Sequence, residues 1–442
     1  MYTEYIGRRL LNLYNEHKSE GAPLSPKEFF DNVFFPIVFD DERYLMLANN
    51  SKFDQAAKQK KRKPLTAEVR RNALAQFHED VETLEYPHGH LYLGGSAREL
   101  DAATSSQITD IAIPVSPEEI YCTWIGAAAG IGVKGGFSIL IDNDQVLLAL
   151  LDGWHQYRAF LSQLPTLKPY QIETWNGWWL VHRFSETYYR ENDPLRDFPA
   201  GQQDEPALSK GVHSFATPPW IRVVFALAYV EATVAQVGYV YSFGQTNTTI
   251  GFIRFDLPKV DHLIGTYERL FEHTRQTRGA FTRLYETQFG FMTACQKGSI
   301  GLKAMEPKNL RKYMPSRYDP GKIPKKPTKQ GDEINFQLYQ TWIIAMLNND
   351  DLLKQTQQIA EALYQFSKEA KRGKQTHKAL VNDMLSSPNL KNFIDAITEV
   401  TTEGGSDKQL LNELVESVVK MPKSDFPLFL TLLRFKYAYV TE

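Results

Sequence analysis

Residues 305–330 read MEPKNLRKYMPSRYDPGKIPKKPTKQ, and this stretch divides the chain into two differently built parts. It carries eight cations (Lys308, Arg311, Lys312, Arg317, Lys322, Lys325, Lys326 and Lys329) against Glu306 and Asp319, with five prolines and no sustained apolar period. That composition predicts a basic, Pro-rich linker. Before it, residues 1–304 are rich in aromatics and Gly and mix helix with strand signals. After it, residues 331–442 read as helix, turn, helix. The expected fold class is therefore α+β: a mixed α/β N-terminal body, a linker, and a C-terminal all-α helical bundle. A basic segment between two folded parts points to assembly along a polyanion more than to a small-molecule enzyme.

With 442 residues the chain has room for two or three cores. The formal net charge of −2 leaves no global basic field, so any nucleic-acid contact must use local patches. The two cysteines, Cys122 and Cys295, are far apart. That excludes a disulfide framework and a Cys-rich zinc site, and it fits a cytoplasmic location. The N-terminal stretch lacks the apolar core of a signal peptide, and no apolar run is long enough to span a membrane.

Helix periodicity marks residues 4–18 and 66–85, and Ser25-Pro26 is a helix start. DNDQVLLALLDGWHQYRAFL (142–161) reads as an amphipathic helix opened by Asp and Asn. TWNGWWLVHRF (174–184) reads as a hairpin on an Asn-Gly turn. Residues 221–243 read as a buried helix or a pair of strands. In the C-terminal part, helices are expected over 332–348, 351–372, 375–386, 389–401, 407–420 and 425–438. The breaks are Asn348-Asn349, Gly373, Pro388, Gly404-Gly405 and Pro422.

Several motifs admit a chemical reading and a plainer one. Gly130-Ile-Gly132-Val-Lys-Gly135 matches G-x-G-x-x-G, and Asp152 stands near the ribose-binding offset. The match is followed by GFSILID, which reads as a strand where a dinucleotide site needs a helix. A glycine turn close to another backbone or to a phosphate is the better reading. His88 and His90 offer two imidazoles and no third ligand, so no metal site is expected. Lys58, Lys60, Lys61, Arg62 and Lys63, followed by Arg70 and Arg71, form either a phosphate clamp or a solvated loop. Gln245, Thr246, Asn247, Thr248 and Thr249 could meet base edges and phosphates, or could satisfy their own backbone. Trp175, Trp178 and Trp179 could stack on bases, but a core role is the simpler expectation.

Taken in order, these pieces resemble the large subunit of a type I CRISPR Cascade surveillance complex, closest to subtype I-B. The carrying segments are FFDNVFFPIVFDDERYLMLANNSKFDQ, GAAAGIGVKGGFSILIDNDQVLLALLDGWHQYRAFL and YSFGQTNTTIGFIRFDLP. The resemblance covers most of residues 1–300 and is one of pattern. It implies that the C-terminal bundle is similar to the Cascade small subunit, which can also be made separately, here from Met305 or Met314. It implies a non-catalytic protein that reads a short target-adjacent motif in double-stranded DNA and stabilises the opened strands, while base pairing to the guide reads sequence. Glycine loops, Lys, Asn and Gln do this reading in the family, largely from the minor groove. Lys134, Gly135 and Gly136, with Gln245, Thr246, Asn247 and Thr248, are the candidates in this chain. Phosphate contact is expected of the Lys58–Arg71 cations and of Lys308, Arg311, Lys312, Arg317, Lys322, Lys325 and Lys326.

The implied partners are a CRISPR RNA-bearing complex with its backbone subunits, target DNA, and a downstream helicase-nuclease or transposition protein. The family often carries a zinc-binding Cys cluster, which is missing from this sequence. The length, short for a fusion with a small subunit, fits a complex serving guided transposition. No cofactor is expected. Two other readings stand beside this one: a nucleotide-binding enzyme using the Gly126–Gly136 segment, and a helical scaffold without nucleic-acid contact.

Overall fold

The computed structural model describes residues 1–18, 21–48, 50–59, 65–83, 90–93, 114–198, 207–209, 211–242, 249–271, 275–316, 318–369, 376–404 and 407–441. The chain folds as two compact units, 1–258 with 290–300, and 259–289 with 301–442.

The first unit starts with helix α1 (Tyr2–His17), α2 (Pro26–Phe29), a π-helical turn (Phe30–Phe34) and α3 (Phe35–Val38). Ser25 opens α2 with a reciprocal cap: its hydroxyl accepts from the Glu28 amide, and the Glu28 carboxylate accepts from the Ser25 amide. Helices α4 (Lys52–Gln59), α5 (Ala67–Thr83) and α6 (Pro117–Ala128) follow. Their apolar faces enclose an aromatic core in which Phe39 stacks on Phe53 at 4.2 Å and Phe30 on Phe77 at 5.0 Å. Trp124 lies edge-on to this cluster and donates its Nε1–H to Leu91 O at 2.8 Å.

Helices α1 and α6 meet backbone to backbone. A Cβ on Gly7 would lie 1.9 Å from Cys122 O, and one on Gly126 would lie 1.8 Å from Thr3 O. No side chain fits at either point, so glycine is required on both helices.

The sheet follows. Strands β1 (Ile131–Val133) and β2 (Phe137–Ile141) form a hairpin; then come α7 (Asp144–Gln163) and α8 (Ile172–Arg183). A small hairpin, β3 (Ala207–Ser209) with β4 (Val212–Ser214), precedes α9 (Trp220–Val230). Strands β5 (Gln236–Ser242) and β6 (Thr249–Phe255) complete the main hairpins. Helix α10 (Leu257–Phe271) leads out of this unit, α11 (Arg275–Leu284) belongs to the second, and the chain returns with α12 (Phe291–Cys295) and β7 (Ser299–Ile300). The five-stranded sheet runs β1-β2-β5-β6-β7, antiparallel except for the parallel β6–β7 pair.

Two expectations need correction or completion here. Residues 174–184 are not a hairpin: they lie in helix α8 and its C-cap. Trp175, Trp178 and Trp179 fall at helical spacing on a buried face, and their Nε1–H groups donate to Gly153 O, Ala216 O and Ala149 O. Asn176 and Gly177 serve packing and make no turn. Residues 221–243 hold one helix and one strand, because α9 ends at Val230 and β5 starts at Gln236.

The second unit ends in α13 (Gln330–Leu347), α14 (Asp351–Lys368), α15 (His377–Leu385), α16 (Leu390–Thr402), α17 (Lys408–Lys420) and α18 (Phe426–Val440). Each expected C-terminal helix is present, and Asn348 stops α13 in the left-handed region at φ 50°. Helix α18 packs on α13, α14 and α15 and is buried along almost its whole length.

Residues 305–330, expected as a linker, lie wholly within this second unit. Met305, Leu310 and Pro324 are buried. Tyr285 donates its hydroxyl to Met305 O, Tyr339 to Lys308 O, and Trp342 its Nε1–H to Leu302 O. Two buried aromatics, Tyr285 and Tyr339, thus take the backbone of a segment whose own sequence has no apolar period, and Trp342 takes that of Leu302 just before it.

Gly7→Ala or Gly126→Ala is expected to lower the unfolding free energy by about 3 kcal/mol or more, since the backbones must part. Gly290→Ala, with open space at its Cβ position, should cost no more than about 0.5 kcal/mol. Urea denaturation midpoints measure the difference, and equal shifts in all three variants would refute a rigid α1–α6 contact.

Candidate nucleic-acid interface

The glycine segment is built from its supports outward. Where α6 gives way to β1, the buried Asn176 donates Nδ2–H to Ala128 O at 2.7 Å and to Gly130 O at 2.8 Å. Its Oδ1 accepts from Trp154 Nε1 at 3.2 Å, so the amide is satisfied on both sides. A Cβ on Gly132 would meet Glu173 C and O at 2.8 Å, and one on Gly177 would meet Gly132 O at 2.5 Å. The glycines therefore let strand β1 lie directly against helix α8.

Past the strand, the Lys134 amide donates to Pro218 O at 2.8 Å, and its side chain is exposed. Gly135 and Gly136 turn the chain at φ 113° and 78°, where side chains are strained. The order is strand, turn, strand. No helix opens behind the glycines to receive a pyrophosphate, as a dinucleotide site requires. The glycine turn against a neighbouring backbone is what the fold contains.

The turn adjoins the ends of strands β5 and β6. Phe137, next after Gly136, pairs with Ser242, and Tyr241 pairs with Thr249 across an irregular register. The chain thus leaves the sheet at Ser242 and rejoins it at Thr249, beside the Lys134–Gly136 turn. Gln245, Thr246, Asn247 and Thr248 lie between those points and outside the described residues. The Lys134–Gly136 turn and the ends of β5 and β6 at Ser242 and Thr249, about a hundred positions apart in the chain, thus belong to one end of one sheet. An apolar floor backs it: the Phe137 ring lies 5.8 Å from Phe291, which lies 6.1 Å from Trp220.

The predicted phosphate contacts divide sharply. Lys58 pairs with Asp54 at 2.6 Å. Arg70 pairs with Asp40 at 3.0 Å and donates to Leu65 O. Arg71 is exposed. Lys60, Lys61, Arg62 and Lys63 are outside the described residues, as are Arg317 and His88. In the second unit, Lys308 pairs with Glu286 at 2.7 Å, and Arg311 grips the buried Glu306 through two hydrogen bonds of 2.6 and 3.0 Å. Lys312 lies 5.0 Å over the Tyr313 ring. Lys322, Lys325, Lys326 and Lys329 are exposed and make no ion pair among the described residues. Of the predicted phosphate contacts, Lys58, Arg70, Lys308 and Arg311 thus already pair with carboxylates of the chain itself.

Burial pushes the Cys122 thiol up to about 12 and the Cys295 thiol up to about 11, far from thiolate chemistry at neutral pH. Among the described residues no group of three His, Cys, Asp or Glu could hold a metal ion, and no helix is long and apolar enough to cross a membrane. Periodicity gave no notice of Glu173 or Arg434. No family model matches this chain, and neither does any curated protein or solved structure.

Burial raises the Glu173 carboxyl from 4.5 to about 7. The proton is held more tightly in the folded state, so the stabilisation is complete below 4.5 and is lost as pH rises through about 7. Glu173→Gln should accordingly raise the melting temperature above pH 7 and leave it unchanged below 4.5. Identical melting curves for both proteins above neutral pH would contradict this.

Proposed function

We propose that this chain is a non-catalytic subunit of an RNA-guided CRISPR Cascade complex of the type I-B kind. In this role it recognises a protospacer-adjacent motif in double-stranded DNA and holds the opened strands. The observation that supports this reading is the shared sheet end: the Lys134–Gly136 turn neighbours the strand ends at Ser242 and Thr249, the positions between which Gln245, Thr246, Asn247 and Thr248 fall in sequence. Exposed backbone amides at a glycine turn, one lysine, and a run of amides and hydroxyls can probe a groove whose pattern is degenerate. The exposed lysines from Lys322 to Lys329 supply phosphate contacts that carry no sequence information.

The family's separately made small subunit is the part that the packing favours least for this chain. A product starting at Met305 would lack Leu302 O, the acceptor of the buried Trp342 Nε1–H, and Tyr285, whose hydroxyl caps Met305 O. The bundle of this chain works as part of its parent subunit, in a cytoplasmic complex that ends in DNA degradation or guided transposition. The nucleotide-enzyme reading has no helix N-terminus to build on at residues 126–136.

The test is purification of the tagged chain from its native operon, with sequencing of co-purified RNA. Uniform repeat-derived guides with backbone subunits are the expected result, and an RNA-free preparation without such subunits would remove the reading.

A second measurement separates the roles. Lys134→Ala with Gln245→Ala and Asn247→Ala should flatten preference among motif sequences and barely change the salt dependence. Lys322→Gln with Lys325→Gln and Lys326→Gln should weaken binding to all sequences alike, and lower the salt slope by about 0.9 for each duplex phosphate no longer neutralised. Unchanged motif preference in the first variant would mean that the reader lies elsewhere.

A further inference from the structure

The π-helical turn Phe30–Phe34 brings a carboxylate to the edge of the aromatic core in the first unit. The Phe35 amide donates to Phe30 O, and the widened turn keeps Phe30 and Phe34 buried while Asp31 meets helix α5. There Asp31 Oδ1 lies 2.9 Å from His78 Nε2. Across the same ring, His78 Nδ1 lies 2.7 Å from the hydroxyl of Tyr121 on α6, a residue 2% exposed. The imidazole centre is 5.9 Å from that of Phe77 and 6.4 Å from that of Phe30. One imidazole thus joins three elements that are distant in sequence.

Its partners assign its protons. A carboxylate oxygen at 2.9 Å calls for a proton on Nε2, so the neutral ring keeps a lone pair on Nδ1 and accepts from the Tyr121 O–H. Protonation would place a second N–H at Nδ1, facing that hydroxyl. Tyr121 would have to turn its O–H away, and it makes no other hydrogen bond among the described residues. A buried donor left without an acceptor is costly. Attraction to Asp31 works the other way, but that carboxylate is 33% exposed, which weakens it. Lys27 of α2 adds like charge and pairs with Glu82, one turn along α5 from His78. On α6, Glu118 acts on Tyr121. On α4, which packs on the same helix, Lys52 pairs with Asp80 and Lys58 with Asp54. Burial is the largest influence on the imidazole and outweighs Asp31, so it holds its proton less tightly than an ordinary histidine.

We propose that His78 is a pH-sensitive latch: neutral, it holds the π-helical turn and helix α6 to helix α5, and protonated, it lets them part. The latch belongs to the fold of the first unit and does not depend on the surveillance reading. Because the folded state binds the proton less tightly, the stabilisation is complete above 6.5 and is lost as pH falls through the lower folded-state value.

The experiment is an NMR titration of the full chain labelled at the histidine ε1 carbon, with the His78→Gln protein assigning one of ten histidine signals. His78 should titrate below 6.5. Tyr121→Phe should move its midpoint up, because the neutral ring loses its donor. Asp31→Asn should move it further down, because the charged ring loses its carboxylate. Hydrogen exchange reads the opening. From about pH 7.5 to about pH 5, protection of α5 amides, corrected for intrinsic rates, should fall about 3- to 10-fold more than that of α13 and α14, as for one hydrogen bond lost. His78→Gln offers a donor and an acceptor without titrating, and should abolish that excess. Melting temperatures above neutral pH check that each variant is folded. A His78 midpoint at or above 6.5, a midpoint indifferent to Tyr121→Phe, or an equal loss of α5 protection in His78→Gln would overturn the latch.

Discussion

The contact between Gly7 and Gly126 sets the geometry of the first unit. With no Cβ at either point, α1 and α6 approach until the backbone of one touches carbonyl oxygens of the other, a spacing that favours Cα–H···O contacts and dense packing. Helix α6 then runs straight into Gly130 and the glycine hairpin, so its placement fixes where β1 begins. Helix α1 brings Tyr2 within 5.4 Å of Tyr239 and 5.2 Å of Phe252, which covers part of the outer face of β5 and β6. The same close approach therefore orients the sheet whose end carries the Lys134–Gly136 turn.

In the second unit a single buried cation has a comparable role. Arg434, fully buried, donates from Nε to Leu385 O and from Nη1 to Tyr313 O. Burial lowers its affinity for the proton, to about 10. A guanidinium is costly to bury, and carbonyl oxygens on two separate segments offset that cost. The arrangement ties the central helix α18 to the end of α15 and to the base of the 312–322 loop. Local charge and long-range packing meet here: the surface of that loop is cationic, and its base is pinned from within.

Much of this was readable from the chain. The six C-terminal helices follow from apolar spacing and from Asn348, Pro388 and Pro422, because an amphipathic helix that must cover a core repeats its apolar face in sequence. The Ser25-Pro26 cap, the glycine turn and the strand that follows it are likewise local. The Trp-rich segment 174–184 was misleading because Asn-Gly is a turn signal only when its amide has no better partner. Asn176 has two carbonyls and an indole to satisfy, and Gly177 has a strand pressed against it. The basic segment 305–330 misled for a related reason. Its charge describes its surface, and its backbone is held by Tyr285 and Tyr339, which belong to other parts of the chain.

The sequence by itself determined the helical C-terminal part, the mixed α/β character of the rest, the glycine turn and the basic stretch, since each is set by neighbours within a few turns or strand residues. Only the tertiary structure decided that the Lys134–Gly136 turn lies beside the strand ends at Ser242 and Thr249, that Lys58, Arg70, Lys308 and Arg311 are taken up by internal carboxylates, and that the basic stretch is part of a folded unit. Strand pairing and ion pairing join residues tens to a hundred positions apart. Hydrogen-bond partners at that range leave no periodic trace in the chain that makes them.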